Sequence, residues 1–161
     1  MPTRVLFVCL GNICRSPMAE FVLRDLVTRA GLSEKITTAS AGTSGWHNGE
    51  DMHLGTKKIL KAHRIRADGF RSSQVKTTDG LRYEHIIAMD NKNLAALKAL
   101  LSPASTCQLY KLTDLLPQSQ FDYVPDPYFS GNFKQTYQLV YAGCEAWLAQ
   151  WQQQTDEHKQ P

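Results

Sequence analysis

Residues 5–20 read Val-Leu-Phe-Val-Cys-Leu-Gly-Asn-Ile-Cys-Arg-Ser-Pro-Met-Ala-Glu. The fully apolar run Val5–Val8 is typical of a strand that is buried on both faces of a parallel sheet. Ser16 is a suitable N-cap and Pro17 fits the first helical position, after which apolar residues recur at helical spacing until Gly31. The stretch therefore predicts a strand, a short loop and a helix, the first unit of an α/β fold.

The rest of the chain continues this alternation of strand and helix patterns. Further elements are predicted as strands at 36–39, 85–89 and 106–110, and as helices at about 52–63, 94–101 and 133–151. In the second helix we expect Leu54, Ile59 and Leu60 to face inward. The apolar stripe of the last helix, from Tyr137 to Trp151, indicates core packing. The alternation predicts a parallel α/β sheet with right-handed crossovers.

Length and composition are those of one ordinary globular domain spanning residues 1–161. We expect the polar stretch 152–161 to be a frayed tail. A net charge of +3 gives a weak attraction for anions and does not indicate a nucleic-acid partner. No apolar run approaches the length of a membrane span, and the first strand leaves no room for a signal peptide. We therefore expect a cytoplasmic protein without a membrane partner.

The four cysteines, Cys9, Cys14, Cys107 and Cys144, show neither Cys-x-x-Cys spacing nor a partnering cluster of histidines. Neither a zinc site nor a secreted disulfide framework is indicated. The five histidines are interpreted as surface or core residues before metal ligands. We expect neither a metal nor another cofactor.

The five residues between Cys9 and Arg15 indicate an anion-binding loop. Gly11 permits positive φ, so successive N–H groups of Leu10, Gly11, Asn12, Ile13 and Cys14 can point inward as a nest. The helix N-terminus adds partial positive charge, and the planar fork of Arg15 can bind two phosphate oxygens. The same field favours the thiolate of Cys9. These residues predict phosphoryl transfer through a phosphocysteine; the alternative is a buried structural cysteine.

Such a reaction also needs an acid that protonates the leaving oxygen and a base that activates water. Asp126 is the best candidate, because flanking prolines stiffen the backbone there and Tyr128 and Phe129 can wall an aromatic group. The alternative is that Asp-Pro is a plain turn signal. Asp122 is the second candidate for the acid, and Asp90 is expected to orient groups of the site by hydrogen bonds.

Several segments are expected to meet where the parallel strands end. They are the Cys9 loop, the glycine-rich loop 40–49, Asp90 and the long loop 117–131. Asn12 and Ser40 are predicted to hold the Cys9 loop from behind. Ser16 is expected to donate to the sulfur of Cys9, a role that is compatible with N-capping. Trp46, which lies in the glycine-rich loop, is interpreted as an aromatic lip of the pocket, the alternative being local packing.

The chain closely resembles the low-molecular-weight protein tyrosine phosphatases. The matching blocks are residues 5–20, Ser40-Ala41-Gly42-Thr43, Met89-Asp90 and Asp126-Pro127-Tyr128, in the family's order. The resemblance implies a four-stranded parallel sheet flanked by helices, with no metal. It implies roles for the same residues: nucleophile Cys9, phosphate clamp Arg15, acid and base Asp126, loop supports Asn12 and Ser40, thiolate partner Ser16, and aromatic walls Trp46, Tyr128 and Phe129. Members often carry a His-Ala-Arg stretch before the third strand, where this chain reads Gly69-Phe70-Arg71-Ser72, so no histidine is expected to support Asp90.

The predicted substrate is a phosphotyrosine-containing protein, with a tyrosine kinase as a candidate partner. An arsenate reductase on the same scaffold typically needs a close cysteine pair after residue 70, where this chain has the distant Cys107 and Cys144. Phosphoarginine phosphatases carry threonine where this chain has Ile13, whose methyl surface suits a phenyl ring. A phosphoprotein reader without catalysis would be expected to lack Cys9 or Asp126.

Cys14 lies on the same tight loop as Cys9. An accessible thiolate is prone to oxidation to sulfenic acid, which a neighbouring thiol can trap as a disulfide. We therefore predict that Cys14 protects Cys9 from irreversible oxidation. The alternative is that Cys14 packs behind the loop as a small apolar side chain.

Overall fold

A four-stranded parallel sheet with strand order β2-β1-β3-β4 forms the centre of the computed structural model. The structure describes residues 3–116 and 121–159, the last five by their backbone alone. The strands are β1 Thr3–Cys9, β2 Ile36–Gly42, β3 His85–Ala88 and β4 Gln108–Lys111. The predicted α/β class and the parallel sheet are confirmed.

Helices flank the sheet on both faces and connect its strands. They are α1 Arg15–Arg29, α2 Leu54–Ala62, α3 Asp79–Arg82, α4 Asn91–Leu100, α5 Pro127–Ser130 and α6 Phe133–Lys159, with a 3₁₀ turn at Leu112–Leu115. Gly31, with φ of 73°, follows the end of α1 as predicted. None of the helices in the described residues is long and apolar enough to span a membrane.

Alternate residues of β1 supply two cores, one on each face of the sheet. Phe7 and Ile87 pack with α1 and α6, whereas Leu6 and Ile86 pack with α4. The predicted stripe of α6 lies in the first core, where Trp147 is 1% exposed and its Nε1 donates to the Leu112 carbonyl at 3.1 Å. Burial on both faces explains why the buried positions of the central strands, 5–9 in β1 and 86–88 in β3, are all apolar.

Several local predictions are wrong or incomplete. Leu54 is 68% exposed, because α2 buries Thr56 and Leu60 instead. Two short helices were not predicted: α3 lies between α2 and β3, and α5 lies in the described part of the long loop. Helix α6 continues past Trp151 to Lys159, through most of the predicted tail, while residues 117–120 and 160–161 lie outside the described part.

Candidate active site

The ends of neighbouring parallel strands bring the candidate residues together. Cys9 ends β1 and lies beside Gly42 at the end of β2 in the sheet register. Asp90 follows β3 as the N-cap of α4, and its Oδ1 accepts from the Asn93 N–H at 2.7 Å. This is the edge at which ligands bind in open α/β sheets.

Residues 9–15, which we call the Cys9 loop, turn at Asn12 rather than at Gly11. Asn12 has φ of 55° and is fully buried. Its Nδ2 donates to Ser16 Oγ at 2.8 Å and to Ser40 Oγ at 3.0 Å, and its Oδ1 accepts from the Ser73 N–H at 2.9 Å. The predicted positive φ at Gly11 is wrong, because asparagine also tolerates this conformation and here its side chain is fixed by three hydrogen bonds.

Gly11 instead allows the side chain of His47 to approach the loop closely. A Cβ at this position would lie 3.1 Å from Cδ2 of His47, whose imidazole covers the loop. The Nδ1 of His47 lies 2.5 Å from Glu50 Oε2. Sequence reasoning missed His47, although its place beside Trp46 in a glycine-rich loop was a usable signal.

The sulfur of Cys9 is buried within hydrogen-bond reach of two donors. The Asn12 N–H donates to Sγ at 3.3 Å, and Ser16 Oγ lies 3.0 Å from Sγ. Asn12 Nδ2 donates to the Ser16 oxygen, so the Ser16 O–H acts as a donor, either to the sulfur at 3.0 Å or to the Ala41 carbonyl at 3.4 Å. Two such donors stabilise a thiolate. The expectation that Ser16 also N-caps the helix is wrong, because α1 begins one residue earlier, at Arg15, with Cys14 at the N-cap position.

Arg15 has a side chain that is 4% exposed and lies between two carboxylates. Its Nη1 donates to Asp90 Oδ2 at 2.7 Å and to the Val124 carbonyl at 2.9 Å, and its Nη2 lies 3.4 Å from Asp126 Oδ2. Burial lowers the pKa of Arg15, but the charges of Cys9, Asp90 and Asp126 outweigh burial and raise it overall. The guanidinium therefore stays charged.

Asp126 is both a helix cap and a member of the site. Its Oδ1 accepts from the Tyr128 N–H at 3.0 Å while its Oδ2 faces Arg15. The two interpretations of Asp-Pro therefore coexist. Asp122 is exposed, and its carbonyl accepts from Lys111 Nζ at 2.8 Å and Thr113 Oγ1 at 2.7 Å.

A pocket opens over the sulfur of Cys9 and has largely apolar walls. It is lined by Cys9, Leu10, Gly11, Ile13, Cys14, Trp46, His47, Asp126, Tyr128 and Phe129. Trp46 and Phe129 are each 78% exposed, so they stand at its rim. Aromatic walls above a sulfur and a nest of N–H groups suit a flat aromatic ligand that ends in an anion.

Cys14 lies within the Cys9 loop, at the pocket, and is 3% exposed. Burial, with the negative charges of Asp126 and Cys9, raises the pKa of its thiol to about 12. Thr56 Oγ1 donates to the Cys14 carbonyl at 3.2 Å, which joins α2 to the loop. Cys14 is therefore a neutral thiol near the nucleophile candidate at neutral pH.

A buried carboxylate supports the loop from below and was not predicted. Ser40 Oγ donates to Glu20 Oε1 at 2.6 Å, and Arg24 Nη2 lies 2.6 Å from Glu20 Oε2. Burial raises the pKa of Glu20, against the effects of Ser40 and Arg24. The chain of hydrogen bonds runs from Glu20 through Ser40, Asn12 and Ser16 to Cys9. Its signal in the sequence was a charged residue within a helix segment that is otherwise apolar.

A family profile for low molecular weight phosphotyrosine protein phosphatases matches residues 4–158. This chain belongs to that family. It is 46% identical over 145 residues to the low molecular weight protein-tyrosine-phosphatase YfkJ of Bacillus subtilis, covering 90% of this chain and 93% of YfkJ. The crystal structure of YfkJ superposes with a TM-score of 0.92 over 96% of this chain and 97% of that one.

Other members of the family are also similar. PtpA of Staphylococcus aureus, a low molecular weight protein-tyrosine-phosphatase, is 41% identical over 141 residues, which cover 88% of each chain. The crystal structure of DARP, the Drosophila arginine phosphatase, has a TM-score of 0.85 at 33% identity and covers 91% of this chain and 96% of that one.

This low molecular weight phosphatase departs from the family pattern before β3. Phe70 packs in the core, with its ring edge-on to Phe21 at 6.0 Å. Asp90 is held by Arg15 and the Asn93 N–H, and Asn12 is held by the Ser73 N–H. Asp90 is thus supported by a guanidinium and a backbone N–H group, and no histidine takes part.

Proposed function

We propose that this chain hydrolyses phosphotyrosine in proteins by way of a phosphocysteine intermediate. The observation that carries the proposal is the sulfur of Cys9 at the base of the aromatic-walled pocket, inside the Cys9 loop and beside Arg15 and Asp126. Family membership supports the same activity. Among the phosphate esters of serine, threonine and tyrosine, that of tyrosine has its phosphate on an aromatic ring, which suits the aromatic walls of the pocket.

In the first step the thiolate of Cys9 attacks phosphorus. An S–P bond forms, the bond between phosphorus and the tyrosyl oxygen breaks, and Asp126 gives its proton to that oxygen. N–H groups of the loop and the guanidinium of Arg15 bind the three remaining oxygens, where charge is spread in the transition state. The planar guanidinium donates two parallel hydrogen bonds to the phosphoryl group.

In the second step water attacks the phosphocysteine. Asp126, now a carboxylate, takes a proton from the water as the O–P bond forms and the S–P bond breaks. Inorganic phosphate leaves, and the Ser16 hydroxyl donates to the departing thiolate of Cys9 across the 3.0 Å that separate Oγ and Sγ.

The proposal is tested by measuring turnover of phosphotyrosyl and phosphoseryl peptides beside aryl and alkyl phosphates. We expect hydrolysis of the aromatic esters, no turnover by Cys9→Ser despite retained phosphate binding, and loss of most activity in Arg15→Lys, since an ammonium lacks the planar fork. Appreciable steady-state hydrolysis by Cys9→Ser would exclude the phosphocysteine mechanism.

Phosphoarginine is the second candidate substrate, because the arginine phosphatase DARP is among the similar structures. Ile13 lines the pocket of this chain with a methyl surface, which offers no hydrogen bond to a guanidinium. A phosphoarginyl peptide in the same assay decides between the two substrates. We expect the phosphotyrosyl peptide to be hydrolysed faster than the phosphoarginyl peptide.

An arsenate reductase relay is not favoured by the positions of the remaining cysteines. Cys144 is buried in the core with α1 and α6, and Cys107 packs against the core on the other face of the sheet. A sheet separates the two thiols, so they cannot form a disulfide without unfolding.

We also propose that Cys14 traps oxidised Cys9 as a disulfide and that the protein is cytoplasmic. The negative charge of Cys9 contributes to the raised pKa of Cys14, which supports the closeness of the two residues.

All four cysteines, which lie in the described part of the chain, are free thiols, as a reducing compartment would maintain. A tyrosine kinase that forms the substrate is the proposed functional partner.

A further inference from the structure

The positive charge of the chain is concentrated in one segment. Residues 57–76 contain seven of the 18 lysines and arginines and one of the 15 acidic residues. The remaining residues contain more acids than bases, so this segment accounts for the net charge of +3. Such segregation creates a local positive potential that the overall charge does not reveal.

Helix α2 and the segment that follows it present this charge to solvent. We define the α2 basic surface by six exposed side chains, those of Lys57, Lys58, Lys61, Arg64, Arg66 and Arg71. In α2 the lysines lie on the face opposite the buried Thr56 and Leu60. Neutralisation is slight: Lys57 pairs with Asp51, and no other ion pair within the described residues involves these six side chains.

The surface begins at the Cys9 loop. The His53 N–H donates to the Ile13 carbonyl at 2.8 Å, and Thr56 Oγ1 donates to the Cys14 carbonyl. His53, the N-cap of α2, also lies edge-on to Tyr128 of the pocket rim, at 6.2 Å between ring centroids. Arg71 approaches the same end of α2, since it helps Lys57 to lower the pKa of Asp51. Helix α2 therefore starts at the pocket, and its exposed lysines lie at increasing distance from it along the helix.

We propose that the α2 basic surface binds an acidic segment of the protein substrate while its phosphotyrosine occupies the pocket. The proposal rests on the proposed function, because the pocket then fixes a polypeptide next to this surface. An acidic segment complements six exposed cations, and the exposed Leu54 offers it an apolar contact where the surface meets the pocket.

The geometry sets the spacing of that acidic segment. A helix of nine residues is about 13 Å long and an extended chain advances about 3.3 Å per residue. An extended chain therefore covers the length of α2 with about four residues, so acidic residues roughly two to five positions from the phosphotyrosine would lie over α2. Acids next to the phosphotyrosine would instead lie at the mouth of the pocket.

The test compares phosphotyrosyl peptides of equal length that carry Glu or Gln at positions two to five, on either side of the phosphotyrosine. For the wild type we expect kcat/KM to be about tenfold higher with one of the Glu peptides at low salt, and the preference to vanish at about 1 M salt. Lys58→Glu/Lys61→Glu should abolish or reverse the preference and leave turnover of a small aryl phosphate unchanged.

The matched control is Lys35→Glu/Lys98→Glu, which makes the same change in net charge at two exposed sites. Lys35 precedes β2 at the opposite edge of the sheet, and Lys98 lies on α4 at the other face. This variant should keep the preference for the Glu peptide. Equal loss in both variants would mean that net charge alone attracts the peptide, which overturns the proposal.

The same variants also test whether the α2 basic surface binds another kind of anionic partner. The proposal is overturned if neither Glu peptide is preferred while duplex DNA or phosphatidylserine vesicles bind the wild type and not Lys58→Glu/Lys61→Glu. Hydrolysis of Glu and Gln peptides at equal rates overturns the docking site but leaves the proposed function standing. No hydrolysis of any phosphotyrosyl peptide would instead refute the proposed function.

Discussion

At the scale of single residues, the site is built from side chains that serve the fold and the chemistry together. Asp126 caps α5 through one carboxylate oxygen and faces Arg15 through the other. Asn12 fixes the Cys9 loop and donates to the Ser16 oxygen, whose own hydrogen can be directed at the sulfur 3.0 Å away. Because each group has a structural bond to make, its position is set before substrate arrives, which is the preorganisation that electrostatic catalysis needs.

Replacement of Asp126 by asparagine should separate its two roles. Asn keeps the cap to the Tyr128 N–H but cannot give up a proton. A phenol has a pKa of about 10 and leaves reluctantly as an anion, so kcat/KM for phenyl phosphate, which reports the first step, should fall about 100-fold or more. Activated aryl esters with acidic leaving groups should lose much less. Asp122→Asn is the control and should retain activity; equal losses for both ester classes in Asp126→Asn would assign Asp126 a purely structural role.

Cys14 should determine whether oxidation of the enzyme is reversible. Peroxide is expected to inactivate the wild type, phosphate to slow inactivation by occupying the loop, and a thiol reductant to restore activity. In Cys14→Ser the recovered fraction should fall sharply, while initial activity suffers less than in Cys9→Ser. Peptide mass spectrometry should find a Cys9–Cys14 disulfide in the oxidised wild type. Unchanged recovery without Cys14, and no such crosslink, would rule out the switch.

At the scale of elements, local signals predicted the order of strands and helices and the residues of the site, and the resemblance implied roles for those same residues. Long-range contacts decided what local signals could not. Gly11 and Asn12 both tolerate positive φ, and the choice of Asn12 depends on a bond from Ser73, which lies 61 residues away in sequence. From the local sequence alone, Ser16 is indistinguishable from an N-cap. Its contact with the Cys9 sulfur depends on Asn12, which also bonds Ser40 of β2. Glu20 was missed for the same reason, because its partner Ser40 belongs to another element.

The strand–loop–helix unit can be tested at its single residue of positive φ. Asn12→Ala and Asn12→Gly both remove the hydrogen bonds to Ser16, Ser40 and Ser73, but only alanine retains a Cβ in the left-handed conformation. The free energy of unfolding should therefore be about 1 kcal/mol lower for Asn12→Ala than for Asn12→Gly. Urea denaturation measures the difference, and kcat should fall in both variants. Equal stabilities would mean that the loop abandons this conformation once the amide is lost.

At the scale of the whole molecule, the sheet separates two cores, and the site lies at the edge where both meet the loops. The first core extends under α1, whose residues from Arg15 to Leu23 are all buried. Glu20 is therefore a carboxylate within the body of the protein, and it connects the stability of the fold to the support of the Cys9 loop through Ser40. Composition could not reveal this link, because it counts the charged residues of the chain without showing which of them are buried.

Glu20 should make the stability of the molecule depend on pH in a definite direction. Its pKa is raised in the folded state by burial, so the folded protein holds this proton more tightly than the unfolded chain. The associated stability is fully present below the unfolded pKa of about 4.3 and is lost as pH rises through the higher folded value. Glu20→Gln cannot ionise and keeps an oxygen that accepts from Ser40, while Arg24, whose side chain is 49% exposed, can turn to solvent. The difference in unfolding free energy, variant minus wild type, should therefore increase with pH across this window and then level off, since all other groups titrate in both proteins. Urea titrations at a series of pH values measure it. A difference that decreases with pH would mean that the Arg24 ion pair outweighs burial.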